Sequence, residues 1–224
     1  VAIVGQTVAG LAHGIKNLIN ALDGGIYFLK SGIGKGDILR VHKGIEVLTR
    51  NIARIREFTK AFLNYARFRS ICLKECHPKD IIQEVLDSFA AQAKEKNIRM
   101  EFISPHDIAP AFLDYEKIHE ALTNLVGNAL DSFEGIENPK EKKVSVKLFE
   151  EEGAIFIEIV DTGCGIDEEH QRQLFNKFFT TKGLEGTGLG LLMTQKIIQE
   201  HGGHISLSSR KGEGTVFRIR FLRG

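Results

Sequence analysis

The stretch Tyr115–Phe133, YEKIHEALTNLVGNALDSF, decides the fold. Apolar Ile118, Leu122, Leu125, Ala129 and Phe133 recur every three or four residues, which predicts the buried stripe of an α-helix. Glu120, Asn124, Asn128 and Asp131 line up on the face beside it. Paired asparagines next to a buried stripe are, taken alone, only a solvated helical face. Three glycine-rich blocks follow in order: DTGCGI at Asp161–Ile166, GTGLGL at Gly186–Leu191 and GEGTVF at Gly212–Phe217. Glycine ordinarily serves turns, so each block is weak by itself, and it is the ordered set that carries information.

Outward from these blocks, helical and strand periods alternate. Asp80–Lys96 and Leu189–Glu200 read as helices; Ile98–Ser104, Val144–Phe149, Ala154–Val160, Ile205–Ser208 and Val216–Phe221 read as strands. Successive strands without a helix between them argue for a mixed, largely antiparallel α/β sandwich rather than a doubly wound sheet. Before it, residues 69–79 (RSICLKECHPK) lack either period and read as a linker leading into a first strand.

Residues 1–68 have a different pattern. Val4, Val8, Leu11, Ile15, Leu18, Leu22, Gly25 and Leu29 alternate spacings of four and three, and a second seam runs through Ile38, Val41, Ile45, Leu48, Ile52, Ile55, Thr59 and Phe62. SGIGKGD between them reads as a turn, with Asp37 placed to cap the second helix. The fold class is therefore α+β, an antiparallel helical hairpin followed by an α/β sandwich over 80–224. Two amphipathic helices leave their seams half covered. Either two hairpins pair as a homodimeric four-helix bundle, or the hairpin packs on its own second domain. On the first hairpin helix, His13 lies two residues from both Leu11 and Ile15, about 200° around the axis from each, and is expected to face solvent. A lone exposed histidine is ordinarily just a surface residue.

Composition sets the outer limits. At 224 residues the chain can bury one large core or two small ones. Thirty basic against twenty-nine acidic residues give a net charge of +1, which lends nothing to nucleic-acid or membrane-surface binding. Cys72, Cys76 and Cys164 form no CxxC pair and read as reduced thiols, with Cys164 as packing. No apolar run reaches the ~20 residues of a membrane span, so this segment is expected to be cytoplasmic without direct membrane contact. It starts at Val1 within a heptad pattern, as expected of a fragment whose upstream sensor part lies elsewhere.

Taken together, AHGIKN around His13, NLVGNALD, DTGCGI, LFNKFFTTK at Leu174–Lys182, GTGLGL and GEGTVF resemble the sensor histidine kinases of two-component signalling, over nearly the whole chain. The resemblance implies a dimerisation and phosphoacceptor hairpin plus a Bergerat-type ATP-binding domain. It implies ATP and Mg²⁺ as cofactors, a homodimer, and the receiver domain of a response regulator as partner. His13 becomes the phosphoacceptor, with Asn17 able to orient water. Asn128 becomes the Mg²⁺ ligand, a neutral amide oxygen suiting a hard cation already surrounded by phosphate. Asn124 stands where the related hydrolytic ATPases carry a glutamate base, and an amide cannot activate water. Asp161 becomes the acceptor for an adenine amino group, with Gly163, Gly165 and Ile166 turning the backbone beneath the base. Thr180, Thr181 and Lys182 become a phosphate-facing lid, Gly186, Thr187, Gly188, Leu189 and Gly190 a backbone cradle ahead of a helix N-terminus, and Thr215 part of the adenine side.

Four positions depart from the family pattern, one of them Lys177, which stands where a proline is common. Gly14 stands where an acidic residue usually follows the histidine, leaving the proton acceptor unassigned. Leu18 replaces a proline. Asp131, counted with Asn124 and Asn128 among the expected nucleotide-binding residues, stands where a lysine or arginine often contacts phosphate. Gly14 keeps alive the alternative of a phosphatase of the response regulator with weak kinase activity. A nucleotide-gated dimeric scaffold without phosphotransfer is the alternative of another class.

Overall fold

The structure, a computed structural model, describes residues 2–66, 71–136, 141–171, 174 and 190–223, without the side chains of 2–15, 17–18, 54, 57–58 and 60–66. Among these residues, two long helices form one compact unit and the remaining elements a second.

In the first unit, α1 (Ala2–Lys35) is followed by α2 (Ile38–Ala66). The turn is shorter than SGIGKGD suggested, because Ser31–Lys35 remain helical. Gly36 adopts a left-handed φ of 65° and donates to Ile33 O, while Asp37 N reaches back to Gly32 O at 2.9 Å, the paired bonds of a Schellman stop. Asp37 then caps α2 as expected, its Oδ1 accepting from Arg40 N at 3.0 Å.

The helices approach through glycine. A Cβ at Gly44 would lie 2.8 Å from the backbone N of Leu29, and one at Gly25 would lie 2.8 Å from Leu48 Cγ. The expected second seam is thereby split in two. Gly44 and Asn51 are buried, with Val41, Leu48 and Ile55 half-buried. Ile38, Ile45 and Ile52 of the same expected seam instead lie 50–70% exposed. They are matched on α1 by exposed Ile19, Ile26 and Ile33, again seven residues apart.

The second unit begins inside the segment read as a linker. There β1 (Lys74–Cys76) pairs antiparallel with β3 (Ala111–Leu113), and neither strand is long enough to show a period. Pro78 opens α3 (Pro78–Glu95), where its missing N–H costs nothing. A five-stranded sheet follows from β2 (Arg99–Ile103), β4 (Lys143–Glu151), β5 (Ala154–Asp161), β6 (His204–Arg210) and β7 (Gly214–Leu222). Its order is β2-β4-β5-β7-β6, with β2 and β4 parallel and every other pair antiparallel. This is the mixed, largely antiparallel sheet read from the sequence.

One face of the sheet is apolar, through Val146, Ile159 and Phe217 in register across β4, β5 and β7. Helices α3, α4 (Tyr115–Asp131) and α6 (Gly190–Glu200) bury their stripes against it through residues such as Ile82, Leu122 and Ile198. The other face carries charge, for example Arg218 on Glu158 at 2.6 Å. At about 25 cal/mol per Å² of apolar surface removed from water, this single core dominates the stability of the unit. A short helix, α5 (Glu168–Gln171), follows β5.

Because the partner atom at Gly44 is backbone, a side chain there cannot be accommodated by rotamer change. Gly44→Val is expected to destabilise the hairpin by about 1–3 kcal/mol, read as faster amide exchange confined to α1 and α2. Wild-type exchange rates across both helices would contradict the close packing.

Candidate functional site

Asp161 is the last residue of β5 and points to the helix-covered face, where it is 5% exposed. Its Oδ1 accepts from Gly163 N at 2.9 Å and lies 3.1 Å from Ser132 Oγ. Ser132 Oγ also lies 2.7 Å from Ala129 O, so the two acceptors share one hydroxyl proton. Desolvation pushes the Asp161 carboxyl up to about 6, against the lowering effect of the donors from Gly163, Ser132 and Thr215. Thr215 pairs with Asp161 across β5 and β7, is itself buried, and sets its hydroxyl 3.0 Å from Ser209 Oγ.

The DTGCGI loop is stitched down on both sides. Cys164 N donates to Ser132 O at 2.9 Å, and Cys164 O accepts from Gly212 N at 2.7 Å. The Cys164 side chain is exposed, which corrects the expectation that it packs. Two glycines make this closeness possible. A Cβ at Gly163 would sit 1.9 Å from Ser132 Oγ, and one at Gly165, where φ is 64°, would sit 2.0 Å from Arg210 O. Ile166 N donates to Ser209 Oγ at 2.8 Å, and Gln171 Nε2 bonds both Ile166 O and Ser209 O.

On α4, the N-cap Asp114 accepts from Lys117 N. Asn124 donates from Nδ2 to Thr194 Oγ1 of α6 at 2.9 Å, and a Cβ at Gly190 would sit 2.2 Å from Asn124 Oδ1. The first turn of α6 thus rests on the Asn124 carboxamide. Asn128 follows one turn later, and its carbonyl accepts from Ser132 N. Asp131 turns elsewhere: Lys96, the C-cap of α3, reaches it at 3.3 Å and Glu134 at 3.0 Å.

The structure therefore brings Asp161, Gly163, Gly165, Ile166 and Thr215 together, joins Asn124 to Gly190, and seats Asn128 between the two groups on α4. His13 and Asn17 fall within α1, and their side chains lie outside the described residues. Thr180, Thr181, Lys182, Gly186, Thr187, Gly188 and Leu189 lie outside them too, as does nearly all of LFNKFFTTK. Ser132, Thr194, Ser209 and Gln171 are supporting residues that the sequence did not single out. Only Ser132, next to the asparagine block, carried any signal. Chemically, the site offers a buried, ionisable acceptor beside a glycine-bearing loop, and the amides of Asn128 and Asn124 one and two turns before Ser132 on α4. That donor set fits a flat heterocycle bearing an amino group, and Asn128 fits a hard cation held mainly by phosphate oxygens.

A model of the histidine kinase-, DNA gyrase B- and HSP90-like ATPase family matches residues 113–224. Sporulation kinase E of Bacillus subtilis is 33% identical over 217 residues, which are 97% of this chain and 28% of that protein. The sensor histidine kinase ZraS of Salmonella typhimurium is 28% identical over 219 residues, 96% of this chain and 45% of the relative. This chain thus spans less than half the length of these curated relatives. Among solved structures, the catalytic domain of histidine kinase ThkA is 30% identical with a TM-score of 0.58, covering 68% of this chain and 97% of that one. A crystal structure of ThkA in complex with the response regulator protein TrrA aligns over 100% of this chain and 63% of its own at 26% identity, with a TM-score of 0.74.

The buried carboxylate gives the ligand-free protein a measurable signature. Since its folded value near 6 exceeds that of an unfolded chain, its contribution is most favourable below pH ~4 and is lost as pH rises through 6. Asp161→Asn removes that titration. Relative to wild type, the variant is expected to gain on the order of 2 kcal/mol between pH 4 and pH 8 in denaturant melts. A stability difference independent of pH would contradict the buried, ionising carboxylate.

Proposed function

This chain belongs to the histidine kinase-, DNA gyrase B- and HSP90-like ATPases and, among them, to the sensor histidine kinases, and from that premise we propose that it autophosphorylates His13 from MgATP and passes the phosphoryl group to an aspartate of a response regulator. The observation that carries this reading is the Asp161 carboxylate, buried beside a glycine-bearing loop and braced by Ser132 from the helix that bears Asn124 and Asn128. An adenine amino group donating to Asp161 satisfies a charge that is otherwise costly to bury, and the same geometry disfavours guanine, which presents a carbonyl at that position.

In this account the triphosphate runs from Asp161 along α4 toward the N-terminus of α6, whose backbone amides and positive dipole end favour phosphate. Mg²⁺, held by Asn128 and phosphate oxygens, supplies charge neutralisation during phosphoryl transfer. The Asn124 carboxamide is spent on Thr194 and Gly190 and has no basic function with which to activate water, so transfer to a protein nucleophile is favoured over hydrolysis. A neutral imidazole at His13 attacks the γ-phosphate in line, and catalysis rests on positioning. Thr180, Thr181 and Lys182 are proposed to face the phosphates as a lid, and the Gly186–Gly190 block to cradle them.

The exposed heptad isoleucines of α1 and α2 suit a second copy of the hairpin, giving a homodimeric four-helix bundle. The ThkA complex with TrrA supports a response-regulator partner of the same kind here. None of the described helices is long and apolar enough to cross a membrane, and we place the segment in the cytoplasm. Gly14 favours a second reading, in which the protein chiefly dephosphorylates its partner through water oriented by Asn17.

Incubation with γ-labelled MgATP is expected to give acid-labile, base-stable label on the wild-type protein. His13→Gln should remove that label completely while nucleotide binding persists, because the phosphoacceptor and the pocket lie on separate units. Label on His13→Gln at the wild-type level would overturn the phosphosite, and absence of label on wild type would favour the scaffold or phosphatase readings.

A further inference from the structure

His201 lies immediately after α6, in the sequence HGG. Gly202, at a φ of 67°, donates to Gln199 O, and Gly203 N reaches Ile198 O, so the helix ends in a Schellman motif with His201 as its final turn residue. The imidazole has two backbone partners. Nδ1 sits 2.7 Å from Ile197 O, and Nε2 accepts from the Asp114 N–H at 3.0 Å. A carbonyl can only accept and an amide N–H can only donate, so the ring is held as the neutral tautomer with its proton on Nδ1. Asp114 is also the N-cap of α4, and its Oδ2 accepts from Cys72 N. The ring edge rests on Phe221 of β7 at 6.1 Å between centroids.

Two directional contacts between α4 and α6 lie far apart along the helices. One joins Asp114 to His201; the other joins Asn124 to Thr194. At 1.5 Å rise per residue they are about 15 Å apart along α4 and about 10 Å apart along α6. Between them the shared core is apolar, and apolar packing is non-directional. The Asn124–Thr194 contact orients the nucleotide-side half of α6, and the Asp114–His201 contact ties its far end to α4.

We propose that His201 is a positioning residue for the nucleotide site: by fixing the far end of α6 to the N-cap of α4, it sets where Gly190 and the α6 N-terminus stand relative to Asn124 and Asn128. This rests on the reading of that site as the MgATP pocket. His201 touches neither nucleotide nor metal. It acts through α6 as a lever whose other end carries Gly190. Its substitution moves nucleotide affinity without removing any group that binds the nucleotide.

The test is calorimetry of the full chain with MgATP on three proteins. His201→Phe keeps the ring against Phe221 and loses the acceptor for Asp114 N–H. It is expected to bind MgATP about tenfold or more weakly while retaining wild-type far-UV circular dichroism. His201→Gln returns an oxygen acceptor near Nε2, and Ile197 O still receives the residue's own N–H, so affinity is expected to recover to within about threefold of wild type. A folded His201→Phe protein with wild-type affinity, or a His201→Gln protein no better than His201→Phe, overturns the proposal. Wild-type protein that binds no MgATP overturns the pocket reading itself. Should His201→Phe fail to fold, nitrogen-15 spectra of the wild-type ring decide. A protonated Nδ1 with an unprotonated Nε2 at pH 7.5, together with slow exchange of the Asp114 amide, is the expected result, and an Nε2–H tautomer contradicts the clamp.

Discussion

Burying the Asp161 carboxylate at the end of a sheet layer otherwise lined by isoleucine, valine and phenylalanine sets the terms for everything near it. A charge in that position is tolerated only where donors converge, and here they come from three separate places: Gly163 in the loop, Ser132 at the end of α4 and Thr215 on the neighbouring strand. To supply Ser132, α4 must end against the loop. To let the loop in, residue 163 must lack a side chain. To close the other side, β6 and β7 must turn where Arg210 O can meet Gly165. The blocks DTGCGI and GEGTVF, which stood apart in sequence, are parts of one close-packed assembly around one carboxylate.

The hairpin depends on a constraint of the opposite sort, closeness without polarity. Gly25 and Gly44 let two backbones approach, and that approach rotates Ile38, Ile45 and Ile52 out of the intrachain contact. The chain thus builds two apolar stripes per helix, one satisfied internally and one directed outward at a strict seven-residue spacing. A period of seven on both helices is what a supercoiled partner requires. It explains why one seam in the sequence becomes two in the fold.

Long periodic elements were legible from sequence because their signal is repeated. The stripe of α4, the strands β4 and β5, and the capping role of Asp37 all appear in the structure as read. The short strands β1 and β3 were not legible: three residues cannot display a period of two, and their pairing joins distant positions such as Glu75 and Phe112, 37 residues apart. The paired asparagines and the aspartate of DTGCGI stood out in the sequence, but the residues that brace them did not. Nothing local to Thr194 says that it will meet Asn124, and nothing local to His201 says that both its ring nitrogens will be taken by backbone. Such contacts are made by tertiary packing, and single-residue chemistry does not announce them. Asp131 shows the same limit: Lys96 from another helix engages its carboxylate, and nothing local to either residue announces that pair.

The central claim is that Asp161 recognises an exocyclic amino group on a purine. Calorimetric titration of the wild-type protein with MgATP and with the magnesium complex of purine riboside triphosphate, which differs only in lacking that amino group, tests it most directly. The account predicts that the analogue binds about tenfold or more weakly, since it leaves the buried acceptor unpaired. Equal affinities for the two nucleotides would contradict it.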